Sequence, residues 1–156
     1  MQRKKPHSIA KKATAKKPAK PTKKTFKIIL IVEDDRSLLK GLGDSFEREG
    51  IEVLTATNGE EGLKMALKKK PNLIILDILM PVMDGMTMLK KLRKDKWGKE
   101  VFVIILTNKG PDYSLSDEAE TIPYRSCYLM KSDYNLAQIV KFAKDKINPK
   151  KHSTTL

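Results

Sequence analysis

The 156-residue chain holds a single cysteine, Cys127, so no disulfide can form within it and its fold cannot depend on an oxidising compartment. A reduced, cytoplasmic setting is expected. No apolar run approaches the roughly 18 residues of a membrane span, and the first residues carry Lys and Pro where a secretory signal needs an apolar centre. Nothing in the chain is therefore expected to span or cross a membrane. Histidine is confined to His7 and His152, and no Gly-rich phosphate loop or Gly-x-Ser-x-Gly elbow occurs. The length suits one domain of ordinary size plus a tail.

Acidic residues are also missing from one region. Residues 1–26 hold ten of the 32 Lys and Arg but none of the 19 Asp and Glu, so the net charge of +13 belongs mainly to the N-terminal segment. From Lys27 onward 22 basic residues face 19 acidic ones. Residues 1–25 are a low-complexity run of Lys, Ala, Pro and Thr that resembles the tails of linker-histone-like proteins. Such a run cannot bury enough apolar surface to offset its ordering entropy, and a disordered basic tail is expected. Two roles stay open: an arm that binds nucleic acid nonspecifically through phosphates, or a solubilising tail without a fixed partner. No aromatic residue precedes Phe26, so base stacking is not expected of it.

The body alternates apolar runs with helical periodicity. Phe26 to Val32, Ile51 to Ala56, Leu73 to Leu76, Val101 to Leu106 and Cys127 to Met130 read as strands. Leu38, Leu39, Leu42 and Phe46 recur at helical spacing until Gly50, and Asn58-Gly59-Glu60-Glu61 reads as a capping box for a helix ending at Lys68-Lys69-Lys70-Pro71. Met88, Leu89 and Leu92 mark a helix that finishes near Trp97-Gly98. A short helix is expected between Ser114 and Thr121, and Leu136, Ile139, Val140, Ala143 and Ile147 mark the last one. This alternation predicts an α/β fold: a doubly wound, five-stranded parallel sheet with helices on both faces.

The residues that follow the strands form one group. Glu33 and Asp34 follow the first strand, Asp77 the third, Thr107 the fourth and Lys131 the fifth. A parallel sheet brings all these ends to one edge, where open α/β sheets place their ligands. Three clustered carboxylates repel one another unless a cation shares the site, and Mg²⁺ with oxygen ligands is the natural one. Lys131 would add positive charge, and Thr107 could donate to the same phosphoryl oxygens. The group suits a transferable dianion.

Residues 27–148 resemble a response-regulator receiver domain of two-component signalling. The resemblance rests on Ile28-Ile29-Leu30-Ile31-Val32-Glu33-Asp34-Asp35, on Asp77-Ile78-Leu79-Met80-Pro81-Val82-Met83-Asp84-Gly85, on Thr107 after a buried strand and on Lys131 before an amphipathic helix. It implies a flavodoxin-like sheet of order 2-1-3-4-5. It further implies that Asp77 accepts a phosphoryl group from a histidine kinase or histidine phosphotransferase. Glu33, Asp34, Asp77 and the backbone carbonyl of Leu79 would hold Mg²⁺, while Thr107 and Tyr128 would switch a surface read by a downstream protein. Such a protein is a signalling phosphoacceptor, not an enzyme, and catalyses only its own phosphorylation and dephosphorylation. The expected organisation is a basic tail over 1–25, a receiver domain over 26–148 and a C-terminal tail over 149–156. Few residues follow the last helix, so output is expected to pass through a partner surface or the tail.

Several positions depart from the family pattern. Ser132 follows Lys131 where a cis-bonded proline is usual, so a trans bond that places Lys131 differently is one expectation. Leu79 is apolar where many receivers are polar, and Asn108 is bulkier than the common Ala or Gly. Both would crowd and dry the approach of a hydrolytic water, which predicts a long-lived phosphorylated form. Tyr124-Arg125 replaces the usual Gly-Ala, and Pro123 lies in a slightly long segment. Asp35 is expected to cap the first helix, and Asp84-Gly85 to shape the loop and open the next. Two other classes compete. One is a nucleic-acid-associated protein that binds through residues 1–25 and is tuned by the receiver fold. The other, an unrelated flavodoxin-like or hydrolase domain, is opposed by the missing glycine loop, elbow and internal histidine.

Overall fold

A computed structural model of the chain describes residues 27–108 and 125–148. These form β1 (Ile28–Val32), α1 (Arg36–Arg48), β2 (Glu52–Ala56), α2 (Gly59–Lys69), β3 (Leu73–Leu76), α3 (Gly85–Leu92), β4 (Phe102–Thr107), β5 (Ser126–Met130) and α4 (Leu136–Ile147). All neighbouring strands run parallel, in the order β2-β1-β3-β4-β5. This is the doubly wound α/β sheet the alternation predicts. The segments 1–25 and 149–156, Phe26, and the short helix expected between Ser114 and Thr121 lie outside the described residues.

The central strands lack polar alternation because both of their faces are covered. Ile29, Ile31, Ile75 and Ile104 pack with Leu42 and Phe46 of α1 and with Ile139, Val140 and Ala143 of α4. On the opposite face Leu30, Val32, Ile74, Leu76 and Ile105 meet Ala66 of α2 and Met88, Leu89 and Leu92 of α3. Side chains of successive residues leave a strand on opposite sides, so an unbroken Ile/Leu/Val run fills two hydrophobic layers at once. Truncating one such buried Leu or Ile to Ala typically costs about 2–5 kcal/mol.

The helix starts follow the local chemistry. Asp35 caps α1, its Oδ1 accepting the N–H groups of Ser37 at 2.8 Å and Leu38 at 3.2 Å. Asn58 caps α2 by accepting Glu61 N–H at 3.0 Å, but the returning half of the expected box is displaced. Glu61 Oε2 accepts the N–H of Thr57 at 3.2 Å, one residue before the cap. A complete capping box occurs instead at α4, between Asn135 and Gln138.

α3 stops earlier than the periodicity suggests, at Leu92. Past it Gly98 packs against the helix end, where a Cβ would lie 2.0 Å from the Leu92 carbonyl oxygen. Asp95 Oδ1 accepts Gly98 N–H at 2.9 Å and fixes the turn. The Arg93 guanidinium then ties the helix end to the sheet. It donates to the carbonyls of Gly98 at 2.6 Å and Val101 at 2.9 Å and to Ser126 Oγ at 2.8 Å.

Candidate functional site

The backbone ladders run past the strand ends into the residues of interest. Asp77 N–H donates to the Val32 carbonyl at 2.9 Å, Glu33 N–H to that of Ala56 at 3.0 Å, and Lys131 N–H to that of Thr107 at 2.9 Å. Glu33, Asp77, Thr107 and Lys131 are thus placed by paired strands, which position side chains more tightly than free loops do. Thr107 is itself the last residue of β4 and is 1% exposed.

Convergence follows from this placement. One ligand oxygen from each of Glu33, Asp34 and Asp77 lies within 4.8 Å of the others. Glu33 and Asp77 are buried, while Asp34 is exposed at the rim. Lys131 reaches into the same hollow. Its Nζ lies 2.9 Å from Glu33 Oε1, 2.8 Å from Glu33 Oε2 and 3.1 Å from Asp77 Oδ2. The other Asp77 oxygen, Oδ1, accepts the N–H of Ile78 at 2.7 Å. Both oxygens of the Asp77 carboxylate are thereby fixed in direction.

Burial pushes the Glu33 carboxyl above its ordinary value, with the hydrogen bond from Lys131 opposing and the charge of Asp77 adding to the rise. For Lys131 burial alone would lower the ammonium, but its hydrogen bonds to Glu33 and Asp77 outweigh that and hold it above the usual lysine value. The ammonium stays charged at neutral pH. Three carboxylates against one ammonium leave an excess of two negative charges, all presented as oxygen donors. Glu33, Asp34 and Asp77 could accordingly hold a hard divalent ion such as Mg²⁺, which takes a few carboxylates and completes its shell with water or phosphate oxygen.

The peptide bonds of the described residues are all trans, Lys131–Ser132 included, and Lys131 still reaches both carboxylates. Leu79 lies two residues beyond Asp77, 50% exposed, and Asn108 is exposed after β4. Tyr128 on β5 is half-buried, pairs in register with Ile105 and packs on the layer beneath α2 and α3.

Two glycines matter to this geometry in ways their motif reading did not reveal. At Gly85 a Cβ would sit 2.0 Å from the Asp77 carbonyl oxygen, and its N–H donates to the Ile78 carbonyl at 2.8 Å. At Gly59 a Cβ would sit 2.6 Å from the Met83 carbonyl, which accepts the Gly59 N–H at 2.9 Å. The loop from β3 to α3 is thereby clasped against both Asp77 and the start of α2. Asp84 completes it as the cap of α3, accepting Thr87 N–H at 2.8 Å and Thr87 Oγ1 at 2.7 Å. In the sequence only the Asn-Gly and Asp-Gly pairs signalled these contacts.

The profile of the response regulator receiver domain matches residues 29–121. The chain belongs to this family. Among relatives of the receiver is the alkaline phosphatase synthesis transcriptional regulatory protein PhoP of Bacillus subtilis, 46% identical over 70 residues, which are 45% of this chain and 29% of that protein. The transcriptional regulatory protein AfsQ1 of Streptomyces coelicolor is 34% identical over 84 residues, 54% of this chain and 36% of the relative. The matched stretch thus spans about a third of the length of these relatives. A CheY-like response regulator receiver domain protein from Methanospirillum hungatei superposes with a TM-score of 0.68 at 29% identity, covering 80% of this receiver and 96% of that chain. The chain is thus a receiver of the two-component response-regulator class, with a CheY-like, flavodoxin-like sheet. None of its helices among the described residues is long and apolar enough to cross a membrane.

Proposed function

We propose that this receiver is the phosphoacceptor of a two-component relay, taking a phosphoryl group from a histidine kinase or histidine phosphotransferase onto Asp77. A carboxylate oxygen of Asp77 attacks phosphorus as the P–N bond of the phosphohistidine breaks. The imidazole leaves with the electron pair and takes up a proton, and an acyl phosphate remains. Lys131 moves its contact from the carboxylate to the incoming phosphoryl oxygens, and the Thr107 hydroxyl donates to another of them. Glu33, Asp34, Asp77 and the Leu79 carbonyl would hold Mg²⁺, which when bound would neutralise charge on the transferring group. The protein acts on no separate substrate and works in the cytoplasm.

The transfer adds charge at the edge of β3 and β4. Thr107 turning toward the phosphoryl group frees room for Tyr128, whose inward rotation alters the surface presented to a downstream protein. The observation that supports the reading best is the meeting of three carboxylates within 4.8 Å of one another, two of them in contact with the Lys131 ammonium. Incubation of the full chain with acetyl phosphate and Mg²⁺, followed by intact mass, tests it. One phosphoryl adduct is expected in the wild type and none in Asp77→Asn. An adduct that persists in Asp77→Asn, or none in either protein, contradicts the reading.

A further inference from the structure

In a parallel sheet crossed by helices, strands begin and helices end at the same edge, opposite the carboxylate hollow. Here that amino edge is strongly basic. Lys68, Lys69 and Lys70 close α2, and Lys94, Lys96 and Lys99 follow α3; all six are exposed. The acids within these two stretches are Asp95 and Glu100, and Asp95 is engaged by the N–H of Gly98.

Beneath the starts of β4 and β5 this edge opens into a cleft of about 370 Å³. Three elements supply its cations: Lys70 from the end of α2, Arg125 from the turn before β5 and Lys146 from α4, set against one carboxylate, Glu100, and with Trp97 also in the lining. Cations from both faces of the sheet therefore converge on one concavity. Arg125 is fixed by its Nε, which donates to the Glu100 carbonyl at 3.0 Å, and the Lys146 ammonium rests 5.2 Å from the centre of the Phe102 ring and 5.1 Å from that of Phe142. Asn72 also lines the cleft, and its Oδ1 accepts the Ile28 N–H at 2.8 Å. The backbone at Ile28, two residues after the Lys-rich stretch 1–26 in the sequence, is thus tied to the rim of the same cleft.

We infer that the amino edge of this receiver, centred on the Lys70–Arg125–Lys146 cleft, binds the phosphodiester backbone of nucleic acid in addition to the phosphoacceptor role of the opposite edge. A concave row of cations receives a ridge of phosphates and gains by releasing their counterions. A lipid surface fits less well. It is served by basic residues interleaved with several exposed apolar ones that insert, whereas among the described residues Leu79, Val82, Tyr134 and Leu136 are exposed at the carboxyl edge and Leu67 alone stands beside the lysines of α2. The binding is independent of base identity, because its cations engage phosphates, and phosphate contacts carry no sequence information. It also leaves Asp77 open to a phosphodonor.

Fluorescence anisotropy of the full chain with a labelled DNA duplex of roughly 20 base pairs, read from about 50 to 200 mM KCl, tests the inference. The triple variant Lys68→Gln, Lys69→Gln, Lys70→Gln and the double variant Arg125→Gln, Lys146→Gln are each expected to weaken binding about tenfold and to flatten the salt slope by about two. The lysine triple alters exposed side chains only, and an unchanged melting curve with undiminished adduct formation by acetyl phosphate keeps its result separate from folding. Wild-type affinity and slope in both variants would overturn the inference and leave residues 1–26 as the sole binding element. Tighter association with vesicles of phosphatidylcholine and phosphatidylserine than with the duplex would overturn it in favour of a membrane.

Discussion

The two edges of one sheet handle charge in opposite ways. At the carboxyl edge the reacting groups are few and nearly dry, with Glu33 and Asp77 buried, Lys131 held between them and Asp34 exposed at the rim. At the amino edge they are many and wet, and most of the lysines there project into solvent. A buried charge is tolerated only with partners and fixed geometry, and the carboxyl edge supplies both through strand ladders and glycine contacts. Exposed lysines need neither. Their long side chains stay adaptable, which suits a partner of repeating charge better than a single transferred group. The fold is therefore rigid where a reacting atom would be positioned and compliant where charge is only displayed.

The sharpest way to break this contrast is Gly85→Ala. Its Cβ would meet the Asp77 carbonyl oxygen at 2.0 Å, and backbone cannot yield as a flexible side chain does. Urea denaturation should show a loss of about 3 kcal/mol or more, and intact mass should show adduct formation falling with it. At the amino edge Arg93→Met separates the two properties. It removes donors to Gly98, Val101 and Ser126 and should cost about 2–3 kcal/mol, while the surviving folded protein still accepts a phosphoryl group. Loss of phosphorylation in folded Arg93→Met would show that the edges are not independent.

Asp84→Ala makes a smaller change with a defined pH dependence. Burial would raise the Asp84 carboxyl, but the hydrogen bonds from Thr87 outweigh it and hold it below its ordinary value. A carboxyl depressed in the folded state stabilises above its unfolded value, near 3.8, and loses that contribution as pH falls through the folded value. The variant should be about 1 kcal/mol less stable than wild type at neutral pH, and urea midpoints should converge in strong acid. A constant difference at every pH would contradict the assignment of the cap. The smallest effect is expected at Leu79→Asn. A polar side chain beside Asp77 should admit water and shorten the acyl-phosphate lifetime a few-fold, whereas equal lifetimes would remove Leu79 from the account.

Which features were legible follows from what fixes them. The unbroken runs Ile28–Val32 and Leu73–Leu76 and the alternation of elements dictate a parallel sheet, and that sheet alone brings Glu33, Asp77, Thr107 and Lys131 to one edge. Caps such as Asp35 are legible because their hydrogen bonds span two or three residues. Tertiary contacts are not. The early end of α3 depends on Gly98 meeting Leu92, and the displaced box at α2 on Glu61 turning to Thr57. Nothing local in the sequence marks Arg93, because its acceptors come from a turn and from β5, up to 33 residues away. The reach of Lys131 across a trans Lys131–Ser132 bond likewise depends on the loop path, which residue types do not specify.

Calorimetric titration of Mg²⁺ into the full chain tests most directly whether the carboxylate hollow works as a unit. One site is expected in the wild type, weakened at least about tenfold in Asp34→Asn and in Glu33→Gln, since each removes one charged oxygen ligand. Equal Mg²⁺ affinity in all three proteins would contradict the account.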